Sequence, residues 1–238
     1  MTTNTPTAKG GRPQASRYVS LFTSRRMIAM LLLGYSSGLP LPLTAGTLQA
    51  WLTVAGVDLK TIGIFSLVGI PYTIKFLWSP LMDRFVPPWL GRRRGWVAPL
   101  QLSLMCGIGI MGLLTPEYGP AMLAVLAIIV AFASASQDIA IDAYRTDVLK
   151  EVERGIGAAT FVVGYRGAML VGGALALIMS DHIGWQNTYL IMAATMIIGT
   201  AGTLVGPEPD GTIIAPKGME EAIWGPLKDF FSRRLAVA

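Results

Sequence analysis

Two aspartates stand four residues apart where an oily stretch of the sequence ends. In "AFASASQDIAIDAYRTD", residues 131–147, Asp138 and Asp142 follow a run, 120–131, that carries no charge. A spacing of four puts both carboxylates on one face of a helix. Lys75 and Arg166 are likewise set among apolar residues. A charge at the centre of a membrane helix costs about 2.5–3.5 kcal/mol on insertion scales, so such residues face a partner or a wet cavity. The chemistry open to this set is charge pairing, proton carriage and the holding of an anionic solute. Bond-breaking chemistry lacks its parts. The only histidine, His182, falls in a short loop, and no Gly-x-Ser-x-Gly, His-rich or Cys-based site is present. No catalytic residue, metal ligand or cofactor is expected.

The elements that must position these charges follow from composition. Of 238 residues, 53% are hydrophobic and 14% charged. A soluble domain typically carries about 25% charged residues, so this chain cannot dress an ordinary water-facing surface. Apolar segments run over roughly 27–52, 61–82, 96–115, 120–143, 155–180 and 185–206. Each is near the ~20 residues that cross a hydrocarbon core. The expected fold is an all-α membrane protein with six transmembrane helices. Its 27 glycines and 15 prolines suit membrane helices, which tolerate both. Cys106 excludes an internal disulfide and is expected to be a buried small residue. Residues 1–26 read as a disordered basic cytoplasmic tail. A cleaved signal is rejected, because apolar character continues through Trp51 without a clear cleavage site. Residues 207–238 read as a cytoplasmic linker, ending before a seventh helix.

Basic residues set the orientation. Of the 19 Lys and Arg residues, only Lys60 falls in the first, third or fifth loop, and only Lys75 and Arg166 fall inside spans. The rest lie in the tail, the second and fourth loops and the linker. The positive-inside rule then places both termini in the cytoplasm. The net charge of +5 is thus a topology signal and requires no nucleic acid.

With that orientation, Lys75 and Asp138 fall at similar depth, and Arg166 falls nearer the midplane. A polar cavity between the second, fourth and fifth helices is one reading. An ion pair that only locks two helices together is the other. Asp142 has its own alternative, pairing with Arg145 at the interface. In the first helix, "LLLGYSSGLPLPLTAGTLQAW", Gly34, Gly38, Pro40 and Pro42 should bend the backbone and free carbonyls. Ser36, Ser37, Thr44, Thr47 and Gln49 supply hydrogen bonds beside them. Close packing is the competing account of those glycines, and the preferred account of "GGALA" in the fifth helix.

The second loop, "MDRFVPPWLGRRRG", resembles the Asp-Arg … Gly-Arg-Arg latch of the major facilitator superfamily, with a longer spacer. Together "SGLPLPLTAGTLQAWL", "DLKTIGIFSLVG", "KFLWSPLMDR", "GRRRGW", "SASQDIAIDAYRTDVL", "ERGIGAA" and "GYRGAML" resemble one branch of it, the AmpG-type muropeptide permeases. The resemblance runs from about Leu31 to Phe231. It implies the N-terminal six-helix bundle of a major facilitator fold. It also implies proton-coupled import of anhydro-muropeptides across the bacterial inner membrane, in wall recycling linked to β-lactamase induction. Substrate sites in that superfamily lie between two six-helix halves, so this chain would supply one wall and need a C-terminal half as partner. Within that reading Asp138 and Lys75 couple the proton. Lys75, Arg166, Gln137, Gln49 and Ser37 meet the substrate. Asp83, Arg84, Arg92, Arg93, Asp142 and Arg145 form a cytoplasmic gate. A non-transporting fragment that needs a partner half, or a half with a different solute, are the alternatives. The topology is checked by cysteine labelling. Sites placed in "PEYG" and "DHIG" should react from outside, and protection there with labelling in "GRRRG" would reverse the orientation.

Overall fold

The computed structural model describes residues 24–209 apart from Val86, Glu117 and Tyr118. The tail before residue 24 and the linker beyond 209 lie outside the described residues. Every regular element among the described residues is helical. Six stretches are long and apolar enough to cross a membrane: Arg25–Val54, Leu59–Leu77, Arg94–Leu113, Pro120–Val148, Glu151–Ile183 and Trp185–Val205. We refer to them as spans 1 to 6.

The boundaries differ from the sequence reading where charges lie. Span 1 begins at Arg25, not after the basic tail, because Ser24 accepts from the Met27 N–H and caps the helix. Span 4 runs through Val148, so Arg145 and Asp147 are helical and not in a loop. Its 29 residues reach about 43 Å, beyond a hydrocarbon core of about 30 Å, so its last turns carry their charges past the oil.

Span 1 is the hub. It packs against spans 4, 5 and 6, while span 3 packs on spans 4 and 6 and span 2 leans on span 4. Glycine makes the closest of these approaches. A Cβ on Gly34 would strike the Phe161 carbonyl, one on Gly38 the Tyr165 carbonyl, and one on Gly164 the Leu31 carbonyl. Spans 1 and 5 therefore meet backbone to backbone, as small residues permit in a membrane. The packing account of these glycines holds, and Gly172 of "GGALA" fits the same way against Pro42 and Leu39.

Proline breaks two of the spans. Span 1 is interrupted at Leu39 and again at Ala45. Span 2 alternates short α turns with 3-10 turns at Phe65–Gly69 and Lys75–Leu77, around Pro71, and continues as Ser79–Arg84 with Pro80 in its first turn. Cys106 is exposed, against expectation. In a lipid-facing bundle the outer surface is as apolar as the core, so an apolar neighbourhood does not imply burial.

Gly34→Ala and Gly164→Ala should each cost about 1–3 kcal/mol, the usual range for overpacking. Gly167→Ala, which would meet nothing, should be neutral. Thermal unfolding in detergent measures all three, and equal behaviour would remove close backbone contact as the cause.

Candidate functional site

The site begins at a missing N–H. Proline at position 40 cannot donate to the carbonyl of Ser36, one turn earlier. An unpaired carbonyl in a membrane must find a donor within the protein. Gln137 of span 4 supplies it, with Nε2 donating to Ser36 O at 3.1 Å. Around the same serine, Ser36 Oγ donates to Leu33 O, and Gln101 Nε2 of span 3 donates to Ser36 Oγ at 3.3 Å. Thr203 Oγ1 of span 6 donates to Gln101 Oε1 at 2.9 Å. Ser36, Gln101 and Gln137 are each 0% exposed. This network ties spans 1, 3, 4 and 6 at one level. The break at Ala45 is met similarly, since Tyr189 Oη donates to Leu43 O at 2.7 Å.

The functional pair stands one residue along on both helices. Ser37, next to Ser36, donates to Asp138 Oδ1, next to Gln137. The carboxylate therefore has a hydroxyl partner and no cation within ion-pair distance among the described residues. Lys75 acts on it through its field, as does Asp142. Of the two sequence readings, a locked Lys75–Asp138 ion pair is not formed. Trp78, one turn past Lys75, donates from Nε1 to Ser136 Oγ at 3.0 Å and holds span 2 against span 4.

Other predicted contacts stand apart. Arg166 is exposed on span 5, and its Nη1 lies 4.0 Å from Met169 Sδ. Gln49 is half-buried near the far end of span 1, and its side chain makes no hydrogen bond among the described residues. Gln137 already spends an amide N–H on Ser36, and its buried Oε1 has no hydrogen-bond partner among the described residues.

At the basic end, Arg93 is the centre. Its Nη1 meets Asp83 Oδ1 at 2.5 Å and its Nε meets Asp147 Oδ2 at 2.8 Å. Burial disfavours its charge, but the hydrogen bonds and fields of Asp147 and Asp83 outweigh that and hold its pKa above the usual arginine value. Arg92 Nη2 donates to Asp83 O at 2.8 Å. Asp142 pairs with Arg145 at 3.1 Å, and the Arg145 guanidinium lies 4.8 Å from the centre of the Phe161 ring. Asp142 thus makes the pair with Arg145 that the alternative reading described, and no ion pair with the arginine loop among the described residues. Arg84 is exposed, without an ion pair among the described residues.

Sequence reading overlooked Asp147, which bridges the loop to span 4. It also overlooked Arg26 with Glu153 at 3.2 Å and Arg94 with Glu208 at 3.4 Å. Arg94 Nε further donates to Thr203 O at 2.7 Å, capping the end of span 6. The signal available for Asp147 was its place one residue after Thr146 in a helix too long for the bilayer.

A bundle with glycine-packed backbones, a proline-broken hub and charges held at depth is a multi-pass membrane protein built around a polar interior. The pattern of the Major Facilitator Superfamily matches residues 27–238, and the chain belongs to that superfamily. It is 54% identical over 223 residues to the anhydromuropeptide permease of Escherichia coli K12, covering 93% of this chain and 45% of that protein. It is 37% identical over 216 residues to an uncharacterized protein of Haemophilus influenzae, covering 90% and 51% respectively. A putative transporter AmpG 4 of Rickettsia conorii is 34% identical over 232 residues, covering 93% and 56%. The chain spans about half the length of the curated relatives it matches.

Removing one carboxylate from the arginine bridge separates its two arms. The Asp147 side chain is 15% exposed and that of Asp83 39%. Asp147→Asn should cost about 1.5–3 kcal/mol, the range for a hydrogen bond to a charged group. Asp83→Asn should cost less, because solvent already reaches it. Thermal unfolding of the two variants makes the comparison; a larger loss for Asp83→Asn would mean span 2 is the main anchor of Arg93.

Proposed function

We propose that this chain forms one half of a proton-coupled transporter that imports anhydro-muropeptides across the bacterial inner membrane, with both termini in the cytoplasm. The 54% identity over 93% of the chain to the E. coli anhydromuropeptide permease carries the reading. The cargo class and the direction rest on that similarity, and the orientation rests on the distribution of Lys and Arg. The remaining wall of the site belongs to a C-terminal six-helix half.

In this mechanism Asp138 is the coupling group. Ser37 holds the carboxylate in place, and Lys75 is near enough to feel its charge without pairing to it. Protonation of Asp138 neutralises it and releases the Lys75 field to a cargo carboxylate. The muramyl lactyl group and the stem peptide both offer one. Arg166, exposed on span 5, is a second fixed cation for such an anion. Ser37 and Gln49 are the candidates for sugar hydroxyls, while Gln137, fully buried and bonded to Ser36, holds the bundle together. Loss of the proton on the cytoplasmic side restores the Asp138 charge and favours cargo release. Asp83, Arg84, Arg92, Arg93 and Asp147 form the cytoplasmic gate, with Asp142 and Arg145 one turn above it. Movement of span 2 against span 4 must break the Arg93 bridge, so the bridge stabilises one gate position.

Uptake of labelled anhydro-muropeptide into cells lacking their own permease tests the assignment in the complete transporter. Asp138→Asn should abolish accumulation against a gradient while leaving cargo exchange, and Asp142→Asn should leave accumulation largely intact. Normal accumulation by Asp138→Asn would make Asp138 a structural partner only, and uptake of an unrelated solute in place of muropeptide would remove the cargo.

A further inference from the structure

Gln101 of span 3 is 0% exposed and has no part in the transport chemistry proposed above. An amide shut away from water is costly unless its hydrogen bonds are met, so its partners show what it holds. Both of its ends are engaged. Thr203 Oγ1 of span 6 donates to Oε1 at 2.9 Å, and Nε2 donates to Ser36 Oγ at 3.3 Å. Ser36 passes its own hydrogen to Leu33 O at 3.0 Å. The chain of bonds has a direction. With Oε1 taken by a hydroxyl, the amide N–H group points to Ser36, and Ser36 Oγ gives its hydrogen to its own backbone. Thr203 has a second acceptor within reach, Gly199 O at 3.3 Å, and the bond to Gln101 is the shorter.

What Gln101 holds is the step at which span 1 loses a rung of its own ladder. Leu39 N–H still closes on Tyr35 O at 3.2 Å, but Pro40 has no N–H for the next carbonyl, that of Ser36. Neighbouring spans therefore take a share in fixing the rotation of this segment. Ser36 is held on three sides. Gln101 of span 3 meets its Oγ, and Gln137 of span 4 meets its carbonyl. Gly199 of span 6 lies so close that a Cβ there would strike the Ser36 side chain and crowd Gln101 Nε2, so that glycine makes room for the pair. Ser37 is the next residue along, and its hydroxyl donates to Asp138 Oδ1. Turning Ser36 about the axis of span 1 carries Ser37 with it, and a hydrogen bond weakens steeply once its angle is lost. The grip on Ser36 thus decides whether that hydroxyl meets the carboxylate.

We infer that Gln101, oriented by Thr203, is a positioning residue for the proton-coupling carboxylate: it holds Ser36 so that Ser37 stays on Asp138. The inference deepens the proposed function, since it rests on Asp138 being the coupling group. Gln101 and Thr203 meet neither cargo nor proton, and both act through span 1. Spans 3 and 6, which supply none of the cargo contacts proposed above, thereby share in coupling. Loss of the Thr203 hydroxyl leaves Gln101 Oε1 buried without its donor. The amide is then free to turn over and take the hydrogen of Ser36, which draws Ser36 Oγ off Leu33 O and shifts Ser37. Loss of the amide releases Ser36 from span 3 outright.

Infrared spectra of the purified full-length protein carry an Asp138 carboxyl band, isolated by subtracting the Asp138→Asn spectrum. Ser37→Ala removes the donor at Oδ1 and marks where that band goes when the contact is lost. Gln101→Met, which keeps the volume, and Thr203→Val, which keeps the shape, should each move the band toward that position. Thr203→Ser, which keeps the hydroxyl, should restore it. In liposomes, Gln101→Met and Thr203→Val should lower proton-driven accumulation of labelled anhydro-muropeptide about fivefold, the scale of one lost hydrogen bond. Exchange of cargo without a proton gradient should continue at the parent rate. A band at the parent position in both variants overturns the positioning role, and so does a band that Ser37→Ala fails to move. Equal loss of accumulation and exchange overturns it too, and leaves the network as a support of the fold alone. Failure of the parent protein to take up muropeptide would sink the transport reading, while the band shift still decides whether Gln101 holds Ser37 on Asp138.

Discussion

The hydrogen bond from the Gln137 amide to the Ser36 carbonyl is the contact around which this bundle is organised. It exists because Pro40 withholds the donor that a continuous helix would have supplied. Lipid offers no replacement, so the bundle had to bring one from another span. Once span 4 is fixed to span 1 at this level, the neighbouring residues on each are also brought together. Ser37 and Asp138 meet for that reason. A charge that would be costly in oil is then held beside a hydroxyl, with no cation at ion-pair distance among the described residues.

Glycine makes this possible from the opposite side of span 1. The backbone contacts of Gly34, Gly38 and Gly164 hold span 5 against the face of span 1 that does not carry the polar network. Gly199 and Gly202 of span 6 are equally tight, against Ser36 and against Leu32 with Leu33. Span 1 is thus clamped on its flanks while its middle is broken. The contrast is physical: close van der Waals contact supplies rigidity, and the freed carbonyls supply the polar interior. Span 2 is different. Its repeated 3-10 turns and its packing mainly on span 4 leave it the least buried of the six.

The basic end works by distributing one arginine. Arg93 joins the loop to span 2 through Asp83 and to span 4 through Asp147, while its neighbour Arg94 caps span 6. Two adjacent residues therefore gather three spans. The longer spacer of this loop, compared with the superfamily pattern, does not prevent the bridge, because Trp96 Nε1 donates to Phe85 O and folds the loop back on itself.

By itself the sequence determined the all-helical membrane fold, the six spans and the residues worth inspecting. Burial in lipid is a matter of length and composition, and both are local. It also made Asp138 conspicuous, since one carboxylate in an uncharged run stands out without any structure. Pairings were another matter. Lys75 and Asp138 fall at matching depth, yet the carboxylate takes Ser37, because the partner is decided by which helix faces meet and not by depth alone. Arg166 was expected among enclosing helices, and it lies exposed on span 5, since the side of a helix that a residue occupies is set by how the helix is rotated in the bundle. Asp147 looked like a loop residue until span 4 was seen to continue past the bilayer. Only the tertiary structure could decide these, because hydrogen bonds between spans depend on rotation and approach to within an ångström, and glycine contacts and a proline-freed carbonyl set both.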